Sequence, residues 1–187
     1  KRPKNFIGLH FFSPVDRMEL LEIISGKETS KECLARSLDF AKKLRKVPIL
    51  VNDSRGFYTS RVVALYMEEG MAMLEEGIEP ALIENAGRMA GFPVGPLSLT
   101  DEVSLELVHK IRSEWVRDTK VPAFPGAKTL TTFVEKLGRL GRKNGKGFYD
   151  YPADGKKQLW PGLKEHFKAR PDQPDVEELK KRLLYVQ

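Results

Sequence analysis

The chain has 187 residues, 41% of them hydrophobic and 31% charged, an ordinary globular profile with material for one or two domains. With 32 Lys and Arg against 26 Asp and Glu the net charge is +6, but the signs are interspersed, which favours a solvated mixed-charge surface over a nucleic-acid-binding face; the positive excess would also suit a phosphate-bearing substrate. A single cysteine, Cys33, excludes an intrachain disulfide and points to a reducing compartment, and no run of about 18 apolar residues offers a membrane span.

Two β-prone runs open the chain, Phe6 to Phe12 and Met18 to Ile24, separated by Pro14 and a short polar turn. Paired as a hairpin with residues 14–18 as its loop, facing residues have numbers that sum to 32, and His10 stands opposite Glu22. Opposed residues share one face, with Cβ atoms about 4.5–5.5 Å apart. A carboxylate in that position holds one imidazole tautomer and stabilises the cation, as general acid–base chemistry near neutral pH requires. A one-residue change of register would part the two, and a packed or surface histidine is the alternative.

Gly26 to Ser30 reads as a turn, with Thr29 or Ser30 as a helix N-cap. Cys33, Leu34, Leu38, Ala41 and Leu44 then recur on one helical face, and Arg45-Lys46 suits the negative end of that helix. Val47 to Val51 is a short strand whose Pro48 confines it to an edge or a strand start. Strand, strand, helix, strand is the order of the closing part of an α/β sheet. No strand is followed by G-x-G-x-x-G and a helix, and the basic, Gly-rich stretch from Gly138 to Gly147 does not fit that spacing, so the main dinucleotide fingerprint is absent.

After a turn at Asn52 to Gly56 the pattern becomes helical. Val62 to Leu74 makes a broad apolar, Met-rich helix that reads as core and closes at Gly77. Pro80 starts a second helix to about Met89, and Gly91 to Pro96 is a rigid turn into a third, Leu97 through Trp115. In the Pro-rich stretch from Pro152 to Pro174, Trp160 and Phe167 are expected anchors, and Asp175 begins a last helix. His109 and His166 lie on polar segments that suit surface roles, and no metal site is expected because no further ligand-type residue sits at ligand spacing from any of the three histidines. Lys1 is not a Met and both ends read as cut, so the chain is expected to be part of a longer polypeptide.

Four motifs in order carry a resemblance. They are Gly8-Leu9-His10-Phe11-Phe12-Ser13-Pro14 with Glu22 twelve residues after His10; Asp53-Ser54-Arg55-Gly56-Phe57-Tyr58-Thr59-Ser60-Arg61; Gly91-Phe92-Pro93-Val94-Gly95-Pro96; and Arg142-Lys143-Asn144-Gly145-Lys146-Gly147-Phe148-Tyr149. Together they resemble the 3-hydroxyacyl-CoA dehydrogenase family, in particular its multifunctional fatty-acid oxidation α subunits. The resemblance implies an α/β then all-α chain. Residues 1–52 would end a Rossmann-type NAD-binding domain, 53–151 would form the helical C-terminal dehydrogenase domain, and 152–187 a linker and the start of a second helical copy. The fingerprint would lie upstream of Lys1.

The implied reaction exchanges a hydride between NAD and C3 of a 3-hydroxyacyl-CoA in fatty-acid β-oxidation, with His10 and Glu22 as the catalytic pair. Ser60 stands where monofunctional members carry a substrate-binding Asn, a departure that shortens the reach of the group. Ser13 and Lys143 are the implied cofactor contacts. Implied partners are the 3-hydroxyacyl-CoA or 3-ketoacyl-CoA substrate, a thiolase subunit and a second copy. The expected compartment is a bacterial cytoplasm, with an organellar matrix as the alternative. By itself the piece is expected to be inactive. The rival reading is a helical assembly module without dehydrogenase activity.

Overall fold

The computed structural model describes residues 2–121 and 123–187; Lys1 and Pro122 lie outside them. The chain divides into two units, the first ending at Val62 and the second beginning at Val63.

The first unit is a three-stranded sheet with one covering helix. β1 (Gly8–Phe11) pairs antiparallel with β2 (Leu20–Ser25), and β2 pairs parallel with β3 (Val47–Asn52), in the order β1-β2-β3. The register Gly8↔Ile24 and His10↔Glu22 is the expected one. β1 is shorter than expected, because Pro3–Asn5 form a 3-10 turn ahead of it. Pro48 is tolerated because β3 is an edge strand.

α1 (Lys31–Lys43) starts at Ser30, whose hydroxyl accepts the Cys33 N–H at 3.1 Å, and ends among Lys42 and Lys43. Leu21 and Ile23 on the odd-numbered face of β2 pack with Ala41 of this helix. The buried stripe of α1 is narrower than its sequence suggests: Ser37 and Ala41 are buried while Leu38 and Leu44 remain 41% and 43% exposed. The helix turns only its 34–37–41 line toward the sheet, and Leu38 falls beside that line. The Lys46 ammonium donates to the carbonyls of Val15 and Met18 at 2.5 and 2.7 Å, which ties down the hairpin loop.

The second unit is helical. It takes up most of α2 (Thr59–Glu75), then α3 (Pro80–Met89), α4 (Pro96–Val103), α5 (Leu105–Thr119) and α6 (Ala127–Thr131), the last continued by a π-helical turn. Beyond a closing turn come the short hairpin β4 (Tyr149–Asp150) and β5 (Gln158–Leu159), then α7 (Leu163–His166) and α8 (Val176–Tyr185). Met71, Leu74, Ile83, Leu97, Phe133 and Phe148 are among its fully buried residues.

The helix expected from Leu97 through Trp115 is broken at Ser104, which has φ +90°. Tertiary structure imposes the break: the Leu105 N–H leaves the helical ladder and donates to the Leu140 carbonyl at 3.1 Å. Trp160 and Phe167 do anchor their segment, with ring centroids 5.9 and 6.2 Å from that of Phe133. α8 is capped by Asp175, places Leu179 and Leu183 in the same core, and sends Arg182 to Glu69 and Glu76.

Candidate active site

The site lies within the first unit and follows from the hairpin register. His10 Nδ1 and Glu22 Oε2 are 2.6 Å apart. Glu22 is fully buried, and the His10 side chain keeps 34% of its surface open. On the even-numbered face of β2 the carboxylate is met by the chain that starts α2: its Oε1 accepts the N–H groups of Tyr58 and Thr59 at 3.0 and 2.8 Å. These are donors that a helix N-terminus leaves without an intrahelical partner, and they lie at the positive end of its dipole.

Burial by itself would raise the Glu22 pKa. The Thr59 N–H, the His10 ring, the Thr59 side chain and the Tyr58 N–H outweigh it and hold the carboxyl below its usual range. An ionised carboxylate only accepts hydrogen bonds, so the imidazole nitrogen facing it carries the proton. In the neutral form of such a ring Nε2 carries the lone pair and can take a proton from a ligand.

Two aromatic rings flank the imidazole, Phe12 with its centroid at 4.6 Å and Phe57 at 5.7 Å. Phe57 has φ +44° and follows Gly56 at φ +77°. A left-handed bulky residue costs about 1–3 kcal/mol and persists only where its surroundings impose it. The paired N–H donors and the flanking rings were not among the expected site residues. The Gly56-Phe57 turn just before a helix start is the signal that could have located them.

Ser13 lies exposed beyond the C-terminal end of β1, and Ser60 is exposed in the first turn of α2. Lys143 belongs to the second unit, where its exposed ammonium faces Glu106 Oε2 at 3.6 Å. His109 sits 3.5 Å from Glu135, and His166 stacks on Trp160. Among the described residues no group of three His, Cys, Asp or Glu is placed to hold a metal ion.

The two Gly-rich motifs of the second unit surround buried carboxylates. Glu84 accepts the Leu97 and Ser98 N–H groups at 2.8 and 3.2 Å and the Tyr149 hydroxyl at 2.7 Å. Asp101 accepts the Phe148 and Tyr149 N–H groups at 2.8 and 2.9 Å and the Tyr151 hydroxyl at 3.0 Å. A Cβ at Gly95 would overlap the Glu84 carboxylate, and one at Gly147 that of Asp101, so these glycines serve close packing.

Burial, opposed by those three hydrogen bonds and reinforced by nearby Glu84, raises Asp101 from 3.8 to about 6. The folded state therefore holds this proton more tightly than the unfolded chain does. The resulting stability is complete below the ordinary carboxylate range and is lost as pH rises through the raised value. Asp101→Asn is expected to remove a change of about 2–3 kcal/mol between acid and neutral pH, seen as a flatter plot of urea midpoint against pH. An unchanged slope would contradict this account of Asp101.

The first unit thus holds a His–Glu contact on the strands of a small sheet, and a helical unit follows it in the chain. Residues 1–54 match the NAD binding domain of 3-hydroxyacyl-CoA dehydrogenase and residues 56–151 match its C-terminal domain. The chain belongs to the 3-hydroxyacyl-CoA dehydrogenase family.

Fatty acid oxidation complex subunit alpha of Shewanella sp. (strain W3-18-1) is 45% identical over 162 residues, covering 83% of this chain and 22% of that protein. The chain thus spans about a fifth of the length of such curated relatives (22%). Among solved structures, (S)-3-hydroxybutyryl-CoA dehydrogenase from Ralstonia eutropha matches with a TM-score of 0.75 and 34% identity, covering 81% of this chain and 54% of that one. The dehydrogenase part of multifunctional enzyme 1 from C. elegans matches with a TM-score of 0.70 and 25% identity, covering 99% of this chain and 43% of that one.

Proposed function

We propose that this chain is the acid–base segment of an NAD-dependent 3-hydroxyacyl-CoA dehydrogenase acting in fatty-acid β-oxidation, within a multifunctional α subunit. The observation that carries the reading is the 2.6 Å contact between His10 and a buried carboxylate whose other oxygen takes two backbone N–H groups. In the oxidising direction His10 Nε2 takes the proton of the C3 hydroxyl. Glu22 keeps the ring oriented and stabilises the imidazolium that forms, and in the reverse direction Nε2 returns the proton. NAD, when bound, accepts or supplies the hydride.

The donor set fits a nicotinamide cofactor. The proposed acid–base group has a ring nitrogen turned away from Glu22, and Ser13 lies exposed three residues beyond His10, just past the end of β1. Ser13 is proposed as a cofactor contact of the first unit; Lys143 is proposed, separately, as a cofactor contact of the second. Its pyrophosphate cradle is proposed to lie in the remainder of the parent polypeptide. The parent is further proposed to work in a bacterial cytoplasm beside a thiolase subunit and a second copy, in keeping with relatives named as subunits of a complex. No helix among the described residues is long and apolar enough to cross a membrane.

An intact polypeptide carrying this segment is expected to oxidise NADH when given a 3-ketoacyl-CoA, and absence of that turnover would overturn the reading. In the same assay Ser60→Ala is expected to lower kcat/KM for the thioester by about tenfold, the effect of one lost hydrogen bond, with KM for NADH unchanged. An unchanged kcat/KM would remove Ser60 from the substrate site.

A further inference from the structure

We propose that Phe57 is a positioning residue for His10: together with Phe12, its ring fixes the imidazole plane so that Nδ1 stays on Glu22 and Nε2 stays presented to substrate. The inference rests on the reading of His10 as the acid–base group.

The turn that carries Phe57 addresses both members of the pair at once. Gly56 and Phe57 are consecutive left-handed residues, and the Phe57 N–H donates to the Ser54 carbonyl at 3.0 Å. The next two N–H groups go to Glu22 Oε1, while the Phe57 ring lies 5.7 Å from the imidazole, tilted by 51°. Phe12 lies at 4.6 Å with a tilt of 48°.

Glycine would adopt the left-handed turn without strain, so the backbone path alone does not account for a phenylalanine at position 57. The ring has a second use. The terminal torsion of a histidine is broad and nearly two-fold, so one hydrogen bond at its edge leaves the ring able to rock about that contact. Aromatic neighbours at these separations restrict the rocking and keep water from the bond between Nδ1 and the carboxylate. The His10 side chain is accordingly only 34% exposed even though its pair lies on a short strand near the start of the chain.

The test uses the 187-residue chain and, in parallel, the intact polypeptide. In ¹⁵N-histidine NMR spectra the imidazole N–H proton of His10, assigned by its loss in His10→Gln, is expected at low field and slow to exchange with water. Phe57→Leu keeps an apolar side chain but removes the ring, and is expected to speed that exchange by about tenfold or more and to lower kcat by about tenfold, with both KM values within about twofold. Phe57→Tyr is expected to restore both readouts.

Phe57→Gly separates positioning from folding. Freed of the strained φ, it should keep the wild-type urea midpoint or exceed it, yet lose the slow proton. Wild-type exchange and kcat in Phe57→Leu would overturn the proposal. If instead His10→Ala keeps full turnover while the exchange results stand, the acid–base reading fails and the structural role of the ring survives.

Discussion

Replacing His10 with alanine in an intact polypeptide is expected to cut kcat for NADH-coupled reduction of a 3-ketoacyl-CoA by about 10²- to 10⁴-fold, the span that a positioned acid–base side chain contributes. The loss should fall on kcat, with KM for both substrates changing little. On the proposed reading the imidazole contributes a proton transfer in the transition state and no large share of ground-state binding area. The truncation should be mild for folding, because His10 is partly exposed. A variant within a few-fold of wild type would show that Nε2 moves no proton in the reaction.

Glu22→Gln should be nearly as damaging, at about 10²- to 10³-fold in kcat, although it preserves size and shape. A glutamine has one acceptor oxygen where the carboxylate has two. If that oxygen stays with the Tyr58 and Thr59 N–H groups, the amide nitrogen faces His10 and forces the imidazole proton onto Nε2. That is the tautomer that cannot take a proton from substrate. If the amide flips, its N–H₂ meets two backbone donors, and about 1–3 kcal/mol of stability is lost in the first unit. Either arrangement breaks one side of a contact that the glutamate satisfies on both.

The pH behaviour follows the same logic with the opposite sign to Asp101. Glu22 is held below its usual range when folded, so its stabilisation is present above that range and is lost as pH falls below it. Glu22→Gln should therefore weaken the acid dependence of the first unit's unfolding. A glutamine variant with wild-type kcat would mean that the carboxylate's charge and its acceptor geometry are both dispensable.

The pairing was legible because a loop placed at residues 14–18 makes facing numbers sum to 32, which is the register found; spacing alone left other registers open, and the resemblance singled this one out. The parallel pairing of β3 with β2 was not among the expectations, whereas the succession strand, strand, helix, strand was legible from the change of hydrophobic period. The burial of Glu22 was not, because it is completed by N–H groups 36 and 37 residues further along the chain. Nor was the break at Ser104, where neither glycine nor proline marks the site and the displaced N–H of Leu105 finds a partner in a loop far along the sequence. Nothing in the helical pattern of the sequence marks Glu84 or Asp101 as buried. What betrays them is indirect: Gly95 and Gly147 each leave room for a carboxylate that no side chain could share.

The hydrophobic interior beneath the dyad consists of Leu21, Ile23 and Ala41, whereas the helical unit buries a far larger cluster. Local opening free energies scale with such cores. In this chain warming would thus dismantle the pairing of imidazole and carboxylate while most of the helices still stood, and the slow His10 proton would vanish before the helical signal did.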